Sequence, residues 1–312
     1  MNISMGYQIP SFTYPGGPAA IFGTVVAQAL EAESSGFDTV LLMDHFYQLD
    51  SHGAEDEPML ECYTTLGALA TATSSVRLSA LVTGNTYRNP ALLAKTVTTL
   101  DVVSAGRAVL GIGAGWFQRE HDALGFEFGT FTERFVRLDE ALQIIVPMLA
   151  GERPTFDGSW YRVREAINEP RLDRRIPVMI GGSGENKTFR LAARFADHVN
   201  ILCPDEAIGH KVAVLAQRCE EIGRDPKSLT TSFLISAIPV DGHADERRVR
   251  ARLTPYMQQF AVVGTPDQIA EHVVEKVLPQ GVDGLIVNMP FSGHVPGTVR
   301  AIGEALAPLI RA

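Results

Sequence analysis

Two ionisable residues, Asp44 and His45, directly follow the apolar run 38–43, which has the length of a buried strand. Ionisable groups at such a position are costly to bury unless they are hydrogen-bonded or take part in chemistry. Histidine exchanges a proton near neutral pH, so a functional role is the favoured interpretation of the pair. The other interpretation is that Asp44 caps the next turn while the imidazole lies in solvent.

A glycine-rich turn, made of Gly181, Gly182, Ser183 and Gly184, separates a short apolar run from an amphipathic one. Glycines allow a sharp turn whose N–H groups point outward. The run 185–196 is predicted to be a helix, and its first N–H groups and positive dipole end would face an anion at this turn. These residues alone favour phosphate binding and ordinary turn chemistry about equally.

Apolar runs of strand length alternate with longer amphipathic runs along the chain, a pattern that predicts parallel strands joined by helices. Eight strands are predicted, at 3–9, 38–43, 76–83, 107–113, 177–181, 197–202, 231–239 and 284–289. The clearest helices are predicted at 19–35, 60–73, 90–104, 131–150, 185–196, 206–222, 266–277 and 297–311. Pro90 and Pro266 mark two of the helix starts.

Eight strand–helix units in 312 residues predict an α/β fold, a (β/α)8 TIM barrel forming a single domain over residues 1–312. Two connections, 151–176 and 240–264, are longer than such units need, and we interpret them as insertions over one face of the barrel. A doubly wound sheet would place a GxGxxG motif after the first strand. The sequence PSFTYPGGP stands there instead, so the barrel is preferred.

Residues that follow the strands are the candidates for binding, because the active site of such a barrel lies at the C-terminal ends of its strands. Beyond the residues already named, these are Gln8, Pro10, Thr83, Gly84, Asn85, Gly113, Gly115, Trp116, Asn200 and Asn288. We expect the groups 44–45, 83–85, 113–116 and 181–184 to converge at one mouth of the barrel.

Several other residues allow two interpretations. His121, beside Glu120, is predicted to lie on a helix surface or to pair locally rather than to contact a ligand. Glu61 is predicted to occupy a helix start, where its charge suits the positive end of the helix. The aromatic residues near the expected mouth either wall a planar ring or belong to the core, and these are Trp116, Phe117, Trp160 and Tyr161.

Composition excludes several classes of function. A formal net charge of −9 argues against general affinity for nucleic acid or anionic membranes. No segment approaches the roughly 18 uninterrupted apolar residues of a transmembrane helix. Cys62, Cys203 and Cys219 lack CxxC spacing, which is typical of reduced, buried thiols in a cytoplasmic protein. Neither HExxH nor an HxH on the first strand is present, so no metal site is predicted.

Two basic clusters contrast with this acidic background. The cluster in the first insertion is Arg171, Arg174 and Arg175, and that in the second is Arg247, Arg248, Arg250 and Arg252. Such clusters are usually solvated surfaces. We assign both insertions to the barrel mouth, where the arginines would meet an anionic tail.

Five motifs, in this order along the chain, make it resemble the luciferase-like monooxygenase superfamily. They are MDHF at 43–46, LVTGNTYRNPALLAKTVTTLDVVSAGR at 81–107, LGIGAGWFQREHDALG at 110–125, ERFVRLDEALQII at 133–145 and PVMIGGSGENKTFRLAARFAD at 177–197. Within the superfamily, the chain is most similar to the branch that uses the deazaflavin coenzyme F420. Relatives that use FMN share the same skeleton, so FMN is the alternative cofactor.

The resemblance implies roles for particular residues. In similar proteins a bulge after the third strand, often with a non-prolyl cis peptide, backs the middle ring of the cofactor, and here it would comprise Leu81, Val82, Thr83 and Gly84. The resemblance makes His45 the general acid or base, Asp44 a partner of the ring hydroxyl, and the turn 181–184 the phosphate site. The acidic residues that lie near the reactive carbon in some sugar-oxidising relatives have no clear match here, where Trp116 occupies that neighbourhood, and this difference argues against a sugar phosphate substrate.

Together these features predict an F420-dependent oxidoreductase that transfers hydride between the coenzyme and a small organic substrate. A reduced-FMN monooxygenase and a flavin-binding protein without turnover are the alternatives. The family, together with the small apolar faces of helices 60–73 and 90–104, predicts a cytoplasmic homodimer.

Overall fold

The computed structural model describes residues 3–310. Its strands are β1 Ser4–Ile9, β2 Thr39–Leu42, β3 Arg77–Ala80, β4 Thr83–Gly84, β5 Leu110–Gly113, β6 Phe156–Asp157, β7 Arg162–Val163, β8 Val178–Gly181, β9 His198–Ile201, β10 Thr230–Pro239, β11 Ala261–Gly264 and β12 Gly284–Asn288. Its α-helices are α1 Pro18–Ser34, α2 Cys62–Ala72, α3 Pro90–Val103, α4 Gln118–Leu124, α5 Phe131–Ala150, α6 Thr188–Phe195, α7 Ile208–Glu220, α8 His243–Arg250, α9 Pro255–Phe260, α10 Pro266–His272 and α11 Thr298–Ile310.

The main sheet closes into the predicted (β/α)8 barrel. Its strands pair in parallel in the order β3, β2, β1, β12, β10, β9, β8, β5, β4. β3 and β4 share one strand position, separated by Leu81 and Val82, whose peptide bond is cis. This cis bond lies where the resemblance placed it. A bridge between Leu78 and Ala108 joins β3 to the segment before β5, and β4 pairs with β5, so the strand position shared by β3 and β4 closes the barrel against β5.

Apolar side chains fill the barrel and the layer between its strands and helices. Leu41, Val109, Met179 and Ile286 form a small interior cluster, against which Leu81, Val82 and Leu234 pack. The larger layer includes all three cysteines, which are free and buried as expected. No helix within residues 3–310 has the length and apolar character needed to cross a membrane.

Helix starts follow local sequence signals. Thr130 and Glu133 form a reciprocal capping box at α5, and Thr265 and Gln268 form another at α10. Glu61 accepts a hydrogen bond from the backbone N–H of Thr64 at the start of α2, which confirms the predicted capping role. Two predicted helix boundaries were wrong: α6 begins at Thr188 rather than 185, and α10 ends at His272, followed by a π-helical turn over Val273–Val277.

The two insertions have structure that the sequence pattern did not predict. The insertion 151–176 carries the antiparallel hairpin β6–β7, whose turn is held by Glu140 of α5 through the backbone N–H groups of Ser159, Trp160 and Tyr161. The insertion 240–264 contains α8 and α9 and ends in β11, which pairs with the C-terminal half of β10. Only the second insertion follows a strand directly, so only it begins at the barrel mouth.

The placement of Arg171, Arg174 and Arg175 at the barrel mouth was wrong. The first insertion connects the C-terminal end of α5 to the N-terminal end of β8, and in a (β/α)8 barrel both of these ends lie opposite the mouth. Arg175 pairs there with Asp197, and Arg174 lies 3.5 Å from Asp101 at the end of α3. These arginines therefore cannot meet a ligand at the mouth.

Acidification is expected to destabilise the barrel through His198, the first residue of β9. Its Nε2 lies 2.7 Å from Ser232 Oγ, and burial, helped by the charge of Arg77, lowers the pKa of His198 to about 4. Between pH 6.5 and 4, His198 binds a proton in the unfolded chain but not in the native state. Its contribution to the free energy of unfolding is therefore complete above pH 6.5 and is lost as the pH falls towards 4. We expect this loss to reach about 2 kcal/mol at pH 4.5.

Urea unfolding at pH 7.5 and at pH 4.5 measures this contribution. In the variant His198→Gln, the decrease in unfolding free energy between the two pH values should be smaller by that amount. An equal decrease in both proteins would show that His198 does not contribute.

Candidate active site

Two adjoining cavities open at the C-terminal ends of the barrel strands. We call the first, of about 420 Å³, the glycine cavity, because Gly84, Gly113, Gly115, Gly181 and Gly182 line it. We call the second, of about 670 Å³, the apolar cavity; its walls include Leu49, Phe117, Pro255, Tyr256 and Phe260. The side chains that line both cavities are His45, Leu81, Trp116, Leu202 and Leu234. The predicted convergence of the strand-end groups at one mouth is therefore confirmed.

Most of the residues predicted to bind a cofactor line the glycine cavity. Those that do are Asp44, Leu81, Val82, Thr83, Gly84, Gly113, Gly115, Trp116, Gly181 and Gly182. Asn85, Ser183 and Gly184 line neither cavity. Asn85 is buried behind the wall, and the Ser183 hydroxyl both donates to Leu202 O and accepts from Leu202 N. Ser183 is thus occupied in holding the turn against the end of β9.

Asp44 is paired with an arginine that the sequence analysis did not assign. Arg88 Nη1 and Nη2 donate to the two carboxylate oxygens of Asp44 at 2.5 and 2.9 Å, and the N–H of Gly84 donates at 3.2 Å. Burial raises the pKa of Asp44 and is opposed by Arg88 and the Gly84 N–H, while the Asp44 carboxylate in turn raises the pKa of Arg88 against the effect of burial. Glu61 Oε1 also accepts from Arg88 Nη2, at 2.7 Å. The alternative interpretation, in which Asp44 caps the next turn and the imidazole of His45 lies in solvent, is wrong, because Asp44 is buried against Arg88 and the His45 side chain is 15% exposed and paired with Glu120.

His45 is oriented by a buried carboxylate. Its Nδ1 lies 3.0 Å from Glu120 Oε2, and Trp116 and Phe117 lie edge-on to the imidazole. Glu120 is fully buried and also accepts from the backbone N–H groups of Phe46 and Tyr47 and from the hydroxyl of Tyr87.

The same hydrogen bonds keep Glu120 ionised. Burial opposes ionisation, but the bonds from His45, Tyr87 and Tyr47 outweigh it and lower the pKa of Glu120. The carboxylate of Glu120 holds the imidazole of His45 by its Nδ1 atom. The other ring nitrogen, Nε2, has no hydrogen-bond partner within residues 3–310, and His45 lies where the two cavities meet.

Of the two predictions for His121, the position on a helix surface is wrong, whereas local pairing is confirmed by its contact with Phe117 O. His121 is fully buried on α4, with Nε2 at 2.7 Å from Thr86 Oγ1 and Nδ1 at 2.9 Å from Phe117 O. Burial lowers its pKa. Because α4 is a short helix packed over the end of β4, Glu120 and His121 both face inward, and only Glu120 reaches His45.

The far end of the glycine cavity has the chemistry of an anion site. Gly182 has φ 128° and Gly115 has φ 80°, conformations that side chains rarely allow, so both present bare backbone. Thr188, the first residue of α6, lines the same wall. Arg134 of α5 lines it as well, donating Nε to Gly115 O at 3.0 Å and Nη1 to Gly129 O at 2.9 Å.

Arg134 carries a charge without a carboxylate partner in the described part of the chain. Its guanidinium lies 3.8 Å from the centre of the Phe128 ring, and burial lowers its pKa. A buried cation of this kind is stabilised by a bound anion. The cavity therefore fits a flat group with an anionic extension, as a phosphorylated flavin or deazaflavin has.

The aromatic candidates separate into two groups. Trp116 and Phe117 line the apolar cavity, and Trp116 is 63% exposed. Trp160 and Tyr161 line neither cavity, since the hairpin turn holds them against α5, where Arg137 lies 3.8 Å from the centre of the Trp160 ring. The arginines of the second insertion, residues 247, 248, 250 and 252, also line neither cavity.

Comparison with known sequences extends over most of the chain. The luciferase-like monooxygenase family model matches residues 3–256. An F420-dependent glucose-6-phosphate dehydrogenase of Microbacterium testaceum is 40% identical over 167 residues, covering 53% of this chain and 48% of that protein. The chain thus spans about half the length of that curated relative. A 5,10-methylenetetrahydromethanopterin reductase of Methanolobus tindarius is 29% identical over 271 residues, covering 86% of this chain and 76% of that protein.

Solved structures share the fold at low sequence identity. An F420-dependent secondary alcohol dehydrogenase, solved with an F420–acetone adduct, gives a TM-score of 0.85 at 20% identity and covers 100% of both chains. The EDTA monooxygenase of Chelativorans sp. BNC1 gives 0.85 at 15% identity, covering 100% of this chain and 94% of that one. The barrel, its strand-end site and the family match agree: this chain is a member of the luciferase-like monooxygenase family.

Proposed function

We propose that this protein is an F420-dependent oxidoreductase that transfers hydride between coenzyme F420 and a small organic substrate. The observation that carries the proposal is the position of His45, held by Glu120 at the junction of the glycine cavity and the apolar cavity. Relatives named for F420 dependence support the choice of cofactor.

Each element of the site has a task in this reaction. Gly115, Gly182, Thr188 and Arg134 would hold the cofactor phosphate, and Leu81 and Val82 would back the ring. The bound deazaflavin would supply hydride chemistry, which the protein side chains lack. His45 Nε2 would exchange a proton with the substrate oxygen, while Glu120 keeps the ring in the required orientation. Trp116, Phe117 and Leu234 would exclude water from the junction.

Cofactor titration tests the proposal directly. We expect the purified chain to bind F420 more tightly than FMN, because the tail of F420 carries more negative charge than that of FMN, and Arg134 in the glycine cavity has no carboxylate partner within residues 3–310. Binding of F420 should weaken as salt rises through about 0.15 M, where charges more than about 8 Å apart are screened. Preference for FMN, with oxygen consumed in step with reduced flavin, would instead support a monooxygenase. Binding of either cofactor without turnover on any substrate would support a flavin-binding protein.

We further propose that the chain is a single-domain homodimer of the cytoplasm. Leu92 and Val103 on α3 are 59% and 49% exposed. Helix α3 is one of the two helices whose small apolar faces predicted the dimer contact. Light scattering at micromolar concentration should give about twice the 33.9 kDa of one chain. A single species at the monomer mass would refute the dimer.

A further inference from the structure

The apolar cavity differs from the glycine cavity in its charge. Among the described residues, neither lysine nor arginine lines it, whereas Arg134 lines the glycine cavity. The formal negative charge on its wall is Asp50, an exposed residue. A phosphate or carboxylate group in this cavity would lose its hydration without meeting a cation, which is strongly unfavourable. The wall therefore selects against anionic substrates.

Apart from Asp50 and the two histidines, the polar side chains on this wall are uncharged amides and hydroxyls. Asn288 Nδ2 donates to Gln8 Oε1 at 3.0 Å, and Gln8 Nε2 donates to Leu81 O at 3.1 Å, whereas the buried Asn288 Oδ1 has no partner among residues 3–310. His52 Nδ1 lies 2.8 Å from Ser51 Oγ, and its buried Nε2 has no hydrogen-bond partner within the described part of the chain. Burial, with the nearby His45, lowers the pKa of His52 to about 4, so this imidazole is neutral at pH 7. His52, Gln8 and Asn288 thus give this wall neutral polar groups.

Resting on the proposed function, we infer that the substrate is an uncharged, largely apolar alcohol or the corresponding ketone. Its carbinol carbon would lie beside His45, and its apolar body would pack against Leu234, Tyr256 and Phe260. In the oxidation, His45 would take the O–H proton as the C=O bond forms, and the bound deazaflavin would supply the acceptor for the hydride released when the C–H bond breaks. A cavity of about 670 Å³ holds a molecule well beyond propanol in size.

A binding series tests the inference without turnover. In the variant Trp160→Phe, Trp116 is the remaining tryptophan of the two in the sequence, and it lines the cavity, so its fluorescence reports occupancy. The ligands are the 2-alkanols from 2-butanol to 2-octanol, with glucose 6-phosphate as the anionic comparison. Each added methylene should tighten binding about threefold to fourfold, the usual gain for burying one CH₂. Titration calorimetry of the unmodified chain repeats the series in case Trp160→Phe fails to fold.

The outcomes separate the substrate class from the reaction. Affinity that does not increase with chain length, or tighter binding of glucose 6-phosphate than of 2-octanol, would overturn the inferred substrate class. Binding of F420 together with oxidation of glucose 6-phosphate would overturn that class while leaving the proposed function intact. A chain-length effect without any F420 binding would support an apolar ligand but overturn the oxidoreductase and, with it, the assignment of that ligand as its substrate.

Discussion

Replacing His45 by alanine is expected to lower turnover by about 10²-fold or more, the usual range for a lost general acid or base. Affinity for F420 should change far less, because the anion site proposed at Gly115, Gly182 and Arg134 does not involve the imidazole. Steady-state kinetics on an accepted substrate, together with cofactor titration of the same preparation, measures both effects.

A matched control for His45→Ala is His243→Ala, which removes an exposed imidazole on α8 that pairs with Glu246 at 3.3 Å. This control should leave turnover unchanged. If His45→Ala retained wild-type turnover, His45 would have a purely structural role, and proton exchange would have to be assigned to another group in the cavity.

Replacing Arg134 by glutamine is expected to weaken F420 binding by about 10- to 100-fold, the range for losing a charge-assisted hydrogen bond. The salt dependence of binding should also become shallower, because one local cation is lost. Arg134 also holds the carbonyl groups of Gly115 and Gly129. Thermal unfolding of the variant must therefore accompany the titration.

Arg137→Gln is the matched control, since Arg137 lies one turn further along α5, pairs with Glu127 at 2.6 Å and does not line the glycine cavity. It should leave cofactor affinity within about twofold of wild type, a difference below about 0.5 kcal/mol. Equal weakening in both variants would show that the anion site is not at Arg134.

The barrel could be predicted because its signals are local. Apolar runs and proline or glycine punctuation gave the eight strand positions to within three residues. What the sequence concealed depends on tertiary contacts. β11 forms only because β10 extends far enough to offer its C-terminal half as a partner. The hairpin β6–β7 depends on Glu140, a residue on a different element.

The site was predicted less completely, for the same physical reason. Backbone groups at strand ends follow from the fold, so Gly113, Gly181 and Gly182 were found from sequence. Side chains that reach across elements were missed: Glu120 was assigned with its helix, and Arg134 and Arg88 were not assigned. The sequence did contain a signal for two of them. Glu120 and Arg134 are charged residues at helical positions that otherwise face inward. The placement of Arg174 and Arg175 was wrong because the strand that follows them fixes which end of the barrel they occupy.

The two cavities are built from separate parts of the chain, and this gives the barrel a modular design. The far end of the glycine cavity comes from the ends of β5 and β8 and from α5 and α6, whereas the outer wall of the apolar cavity comes from residues 49–52 and 254–260. Glu120 accepts a hydrogen bond from the backbone N–H of Tyr47, and residues 49–52 follow the segment that this bond holds in place. Exchanging these two outer segments, in evolution or by design, can therefore change the substrate that is oxidised or reduced. The residues proposed to hold the cofactor would stay the same.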